Sequence, residues 1–140
     1  MSSFKIFDIA GSGMSAQSVR LNTVASNLAN AESVSGDATT AYKARHPVFE
    51  AVGAGVAGGK LAEAGAAVRV AGIVENPKAP EARYEPGNPL ANADGYVYAP
   101  NVNAIEEMVD MISASRAYQN NVEVMNTSKE LLLATLRLGQ

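Results

Sequence analysis

His46 is the only imidazole in a chain of 140 residues that contains no cysteine, and this removes much of the chemistry a domain of that size could host. Thiol catalysis, disulfides and cysteine-based zinc sites need a residue that is absent, and one histidine cannot build a histidine-rich metal site. A general base also needs a group to act with. His46 stands between Arg45 and Pro47 with no serine-based triad motif beside it, and it reads as a lone exposed loop histidine. The acids of the middle region, Glu75, Glu81, Glu85 and Asp94, are spread among turn residues. Two carboxylates could flank a scissile bond, but nothing around these marks a pocket, and solvated loops are the better reading. The last candidate is Gly53-Ala54-Gly55-Val56-Ala57-Gly58-Gly59-Lys60, which matches the G-x-G-x-x-G spacing that lets backbone approach a pyrophosphate at a helix N-terminus. No convincing buried strand precedes it, and a βαβαβ half-domain does not fit beside the long helices described below. It fails as a Walker loop too, because Ala54 stands where a glycine is needed and Leu61 where serine or threonine must meet the metal. The stretch reads as a flexible Gly/Ala-rich loop. No catalytic residue, cofactor or metal is expected.

Charge and hydropathy exclude further classes. A net charge of −3, with eleven Lys and Arg scattered singly, leaves no basic face for nucleic acid. No apolar run approaches the roughly 18 residues of a membrane span, and the N-terminus lacks the pattern of a cleaved signal.

What the chain does carry is helix. Asn103 to Leu138 reads as one amphipathic helix with no Gly or Pro inside it, about 50 Å long at 1.5 Å per residue. Asn103 is a candidate N-cap with Glu106 three residues on, Arg137 lies in the last turn, and Gly139 sits where a C′ residue is wanted. Met108, Met111, Ser115, Tyr118, Val122, Met125, Lys129, Leu132 and Leu136 follow at alternating spacings of three and four, the rhythm of a helix packed along its length. A second row, Ile105, Val109, Ile112, Val124, Leu131 and Leu138, broadens the apolar face beyond what one neighbour covers. A domain of this length is only about 37 Å across, so the helix should overhang it. Phe4 to Asn30 reads as the partner helix, with Phe7, Ala10, Met14, Gln17, Leu21, Val24 and Leu28 as a thinner seam weakened by Gly11 and Gly13. At its end Asn27 and Asn30 fit either a frayed terminus or a close-packed contact bonded through side-chain amides. Between the helices, Tyr42 to Phe49 fits a short edge strand ended by Pro47, and Val68–Val74, Ala82–Tyr84 and Tyr96–Tyr98 are three short strands of a small insert. The expected fold is therefore mainly α: long N- and C-terminal helices forming a coiled-coil-like pair, with a small β-rich insert and loops between them. The expected segments are 1–32, 33–100 and 101–140, the two helices together making one helical domain.

Both ends carry recognisable motifs. Gly13-Met14-Ser15-Ala16-Gln17, Arg20-Leu21-Asn22 and Ala25-Ser26-Asn27-Leu28-Ala29-Asn30 at one end, and Asn101-Val102-Asn103, Glu106-Glu107-Met108-Val109-Asp110-Met111-Ile112 and Ala114-Ser115-Arg116-Ala117-Tyr118-Gln119 at the other, resemble the signatures of the flagellar rod, hook and hook-associated axial family. They cover about half the chain. Tyr42 to Phe49 and Asp94-Gly95-Tyr96-Val97 resemble a short proximal-rod member, since distal rod and hook proteins carry larger middle domains. Gly53 to Gly59 and Asn88-Pro89 depart from that member's usual pattern.

The resemblance implies a structural subunit of the periplasmic basal-body rod, exported through the flagellar type III apparatus without a cleaved signal, and a part of the shaft that transmits torque and encloses the export channel. Its implied partners are copies of itself, other flagellar rod proteins and the export apparatus, with no nucleic acid, small-molecule substrate or membrane span. The alternatives are another short rod subunit, a soluble helical adaptor, or a small nucleotide-binding enzyme. The expected assembly interface comprises Met14, Gln17, Leu21, Val24, Asn27, Leu28 and Asn30 of the first helix, and Met108, Met111, Ile112, Tyr118, Val122, Met125 and Leu132 of the last.

Overall fold

The computed structural model describes residues 3–53 and 66–138. All but the first residue of the glycine-rich stretch, and the expected C′ residue Gly139, lie outside these.

Two helices bracket the chain: α1 (Ser3–Ala29) and α2 (Ala104–Leu138), of 27 and 35 residues. Asn103 caps α2, its Oδ1 accepting from the N–H of Ile105 at 3.1 Å and of Glu106 at 3.5 Å, which satisfies two of the orphan donors of the first turn. The helices pack antiparallel. Arg20 donates to Asp110 at 2.6 Å, Gly13 faces the Asn121 amide, and Ile6 shares a small cavity with Ser128, Leu132 and Thr135, so later residues of α2 meet earlier ones of α1.

Between them lie β1 (Arg45–Val52), β2 (Ala67–Glu75), β3 (Glu81–Tyr84) and β4 (Tyr96–Ala99). They form two separate two-stranded antiparallel sheets, β1 with β2 and β3 with β4. The first register runs from Arg45 opposite Glu75 to Val52 opposite Ala67, with a bulge between Val48 and Phe49. This hairpin lies along α1: β2 starts where the Val68 N–H donates to Ser12 Oγ at 3.1 Å, and β1 starts beside Asn27. On the other edge of β4 from β3, Tyr98 exchanges backbone hydrogen bonds with Ser35 at 2.7 and 3.0 Å. Gly95, at φ 82°, makes the turn into β4, and a Cβ there would stand 2.9 Å from the Tyr84 ring.

The expectation of a mainly α chain with a small β insert is corrected by these strands. β1 and β2 span 8 and 9 residues and pack on α1 as a layer of their own, so the fold is α+β. Pro47 does not end β1. It pairs with Ile73 inside the strand, and a two-stranded sheet, whose strands each keep a free edge, tolerates a residue with no N–H to donate. His46 is accordingly not a loop residue but a half-buried residue of β1, opposite Val74.

The coiled-coil-like seam is corrected as well. The α2 residues that face α1 include Glu107, Ala114, Asn121 and Ser128, seven apart and one position before the expected apolar row. Glu107 and Ala114 are buried, whereas Met108 and Leu136 are exposed. Small residues on α1 make the fit: Ala10 and Ala16 are buried, and an added Cβ at Gly13 would stand 2.9 Å from Asn121 Nδ2. Small side chains let two helix axes approach closely, and the larger apolar residues are left pointing away.

Candidate assembly interface

Two asparagines from the terminal motifs hold the middle of the chain to the helices. Asn27 is fully buried near the end of α1. Its Oδ1 accepts from the Tyr42 hydroxyl at 2.9 Å and the Arg45 N–H at 3.0 Å, and its Nδ2 donates to the Arg45 carbonyl at 2.8 Å. Asn101, three residues before α2, does the same for the next residue back. Its Oδ1 accepts from the Ala44 N–H at 2.7 Å, and its Nδ2 donates to the carbonyls of Lys78 at 2.6 Å and Asn76 at 3.1 Å. The Asn76 N–H in turn donates to the Ala44 carbonyl at 2.7 Å. Backbone groups that would otherwise be buried unpaired are thus satisfied by two side chains that mimic a strand edge. Asn30 turns back instead, donating to the Ser26 carbonyl at 2.8 Å.

The residues expected at an interface divide three ways. Val24 and Asn27 are buried inside the chain, where they carry the fold of the subunit. Met14, Gln17, Leu21 and Leu28 on α1, Asn30 just past its end, and Met111, Val122, Met125 and Leu132 on α2 are half-buried. Met108, Ile112 and Tyr118 are exposed. Ile105, Val109, Leu131, Leu133, Leu136 and Leu138 are outside the expected set, yet each is at least as open as Tyr118. Four of the six stand in the second apolar row and Leu136 in the first, whereas Leu133 is in neither.

A cavity of about 550 Å³ is lined by hydroxyls and amides of residues 30–42 with Lys43, Arg45 and Glu75, and Arg45 is already paired with Glu75 at 3.3 Å. The Asp37 carboxylate accepts from the backbone N–H and the hydroxyl of Thr39, which holds its pKa below the usual 3.8. His46 and Phe49 border a second space beside the Arg20–Asp110 pair. The acids Glu75, Glu81, Glu85 and Asp94 all lie exposed, and two of them are engaged by neighbouring arginines, Arg45 with Glu75 and Arg83 with Glu81. Among the described residues no group of three potential metal ligands occurs, and no helix is long and apolar enough to cross a membrane.

A buried set made of small residues, an outward set made of large apolar ones and two long helices define a subunit with surfaces still to be covered. Comparison with known proteins gives that class its family. Residues 7–36 match the family described as flagella basal body rod protein, and residues 93–138 match the C-terminal family of flagellar basal body rod FlgEFG proteins. Full-length relatives include the flagellar basal-body rod proteins FlgC of Yersinia enterocolitica, 54% identical over 140 residues, and of Salmonella typhimurium, 50% identical over 140 residues, each with 100% of both chains covered. That of Aquifex aeolicus is 43% identical over 137 residues, covering 96% of each chain. The chain belongs to the family of flagellar basal-body rod proteins, within the group of relatives named FlgC, and is a structural subunit of the rod.

Proposed function

We propose that this subunit polymerises through the outward faces of its two helices into the proximal rod, the shaft that carries motor torque and encloses the export channel, and that it performs no enzymatic reaction. The observation that carries the reading is the row Ile105, Met108, Val109 and Ile112, exposed on the side of α2 turned away from α1. Four large apolar side chains within two turns are more than a monomer leaves in water without a use for them. In this reading residues 1–32 and 101–140 act as one helical unit with 33–100 as its insert, and Met14, Gln17, Leu21, Leu28, Asn30, Met111, Tyr118, Val122, Met125 and Leu132 add further contacts with copies of the chain and other rod proteins. Delivery through the flagellar type III apparatus to the periplasmic rod, without a cleaved signal, suits a subunit whose buried aliphatic residues, among those described, are six alanines and two valines. Such a core buries little apolar area per residue and opens at low cost.

Val109→Glu combined with Ile112→Glu tests the reading. Both side chains are exposed, so the purified subunit should keep its stability within about 0.5 kcal/mol and still be exported, while rods fail to form. Normal rods built from the variant would overturn it.

A further inference from the structure

We propose that the cavity between the loop that follows α1 and the paired ends of β1 and β2 is a binding site for an acidic sugar, a small molecule with several hydroxyls and one carboxylate or phosphate group. The inference goes beyond the rod-subunit reading and does not depend on it.

Size and lining set the class of ligand. At about 550 Å³ the cavity falls within the range of small-molecule sites, about 300–1,000 Å³. Nine of the eleven residues around it carry polar or charged side chains, so an apolar ligand has little to gain there. Its five hydroxyls are all committed as donors to the protein itself. Ser33 donates to the Asn30 carbonyl at 2.8 Å, Thr39 to Asp37 Oδ1 at 3.0 Å, Thr40 to the Asp37 carbonyl at 3.2 Å and Tyr42 to Asn27 Oδ1 at 2.9 Å. With Thr40 donating to Asp37, the 2.5 Å contact between Ser35 Oγ and Thr40 Oγ1 leaves Ser35 as its donor. What these oxygens keep for a ligand is lone pairs. A ligand that answers them brings several O–H donors of its own in fixed positions, as a sugar does. The same bonds hold the wall in shape, since Asn27 belongs to α1 and Ser35 exchanges backbone hydrogen bonds with Tyr98 of β4 at 2.7 and 3.0 Å. A site already formed loses less on binding.

Charge sets the other half of the ligand. Lys43 is half-buried at the cavity wall and, among the described residues, has no carboxylate within 4 Å. Arg45 is held by Glu75 at 3.3 Å and lies over the Tyr42 ring at 5.7 Å, so that pair cancels. Lys43 is left as the excess charge of the cavity, in a chain whose net charge is −3. An ammonium offers three donors and no acceptor, and its strongest hydrogen bonds are those to a carboxylate or phosphate. A cationic ligand would be repelled by Lys43 and Arg45. A neutral sugar leaves Lys43 unanswered, and a bare anion leaves the five oxygens without donors.

Calorimetric titration of the purified full-length chain tests the site with four probes: glucuronate, glucose 6-phosphate, glucose and inorganic phosphate. At least one of the two acidic sugars should bind at least about tenfold more tightly than either glucose or inorganic phosphate, the scale of one charge-assisted contact. Whichever acidic sugar binds more tightly identifies the anionic group. Lys43→Gln should weaken that sugar by at least about tenfold and leave glucose unchanged, with circular dichroism showing that the fold is kept. Without any substitution, the same sugar should shift the amide resonances of Ser33, Ser35, Thr39 and Thr40 and leave that of Val109, on the outward face of α2, in place. Neither heat nor these shifts with both acidic sugars at about 10 mM, well above a millimolar Kd, would overturn the site. So would inorganic phosphate binding as tightly as the acidic sugars, or an affinity unaltered in Lys43→Gln. None of these results bears on the rod-subunit reading.

Discussion

Asn27 and Asn101 tie the middle of the chain to the two helices with six hydrogen bonds, two at Arg45, one at Ala44 and the others at Tyr42, Asn76 and Lys78. In a chain whose core is alanine and valine, those amides do work that larger apolar side chains do elsewhere. Asn27→Leu removes three of the bonds and strands the Arg45 N–H and carbonyl. The expected cost is about 2–4 kcal/mol, from lost bonds and unpaired buried partners, with faster proteolysis within β1; an unchanged urea midpoint would contradict it. The spacing of Asn27 and Asn30 was readable as an amide-bonded site, but not which backbone the amide meets, because Arg45 is 18 residues away and no local pattern records a contact that distant. Asn101 gave less warning still, since an asparagine before a helix also reads as turn chemistry. Asp37 supplies a pH test. Its folded pKa lies below the usual 3.8, so the turn it closes with Thr39 is favoured above that value and loses support as pH falls through the lower folded value. The Thr39 amide resonance should therefore titrate in acid with a midpoint below 3.8, and a midpoint at or above it would show the bond to be absent in solution.

The helices were legible to within about two residues at each described end, because apolar spacings of three and four in both, and in α2 a run without glycine or proline with a cap at Asn103, are local signals. Which side of α2 faces α1 was not. Periodicity finds apolar rows, and here the row that packs inside the subunit is Glu107, Ala114, Asn121 and Ser128, which reads in a sequence as a polar face. The inversion is itself informative, since a subunit that spends small residues on its internal seam keeps its large ones for neighbours. Close approach at Gly13 is the element's tightest point. Gly13→Leu should push the helices apart and cost about 1–3 kcal/mol through overpacking, read as a lower thermal midpoint by circular dichroism. Gly13→Ala paired with Asn121→Ala should instead be neutral or gain up to about 1 kcal/mol of helix propensity. If Gly13→Leu leaves the midpoint unchanged, the helices are not in contact there. The length of β1 was underestimated for a different reason: Pro47 reads as a strand end, and only the pairing with β2, in which Pro47 stands opposite Ile73, carries the strand through it.

At the scale of the whole molecule, the chain is a scaffold with its surfaces left open. The buried aliphatic residues are small, eighteen large apolar residues are exposed among those described, and ten of these lie on α2. A protein that stayed alone would carry that surface as an aggregation hazard; in the proposed assembly it is covered when the subunit joins the shaft. The central claim is that the outward row of α2 is in water in the free subunit and dry in the rod. Thiol labelling of Val109→Cys measures this directly, since the chain offers no other cysteine. A water-soluble maleimide should label the free subunit rapidly and the same position in isolated, intact rods at least about tenfold more slowly, as expected of a residue in an interface core, with full labelling restored when the rods are denatured. Equal rates in the free subunit and the intact rod would contradict the account.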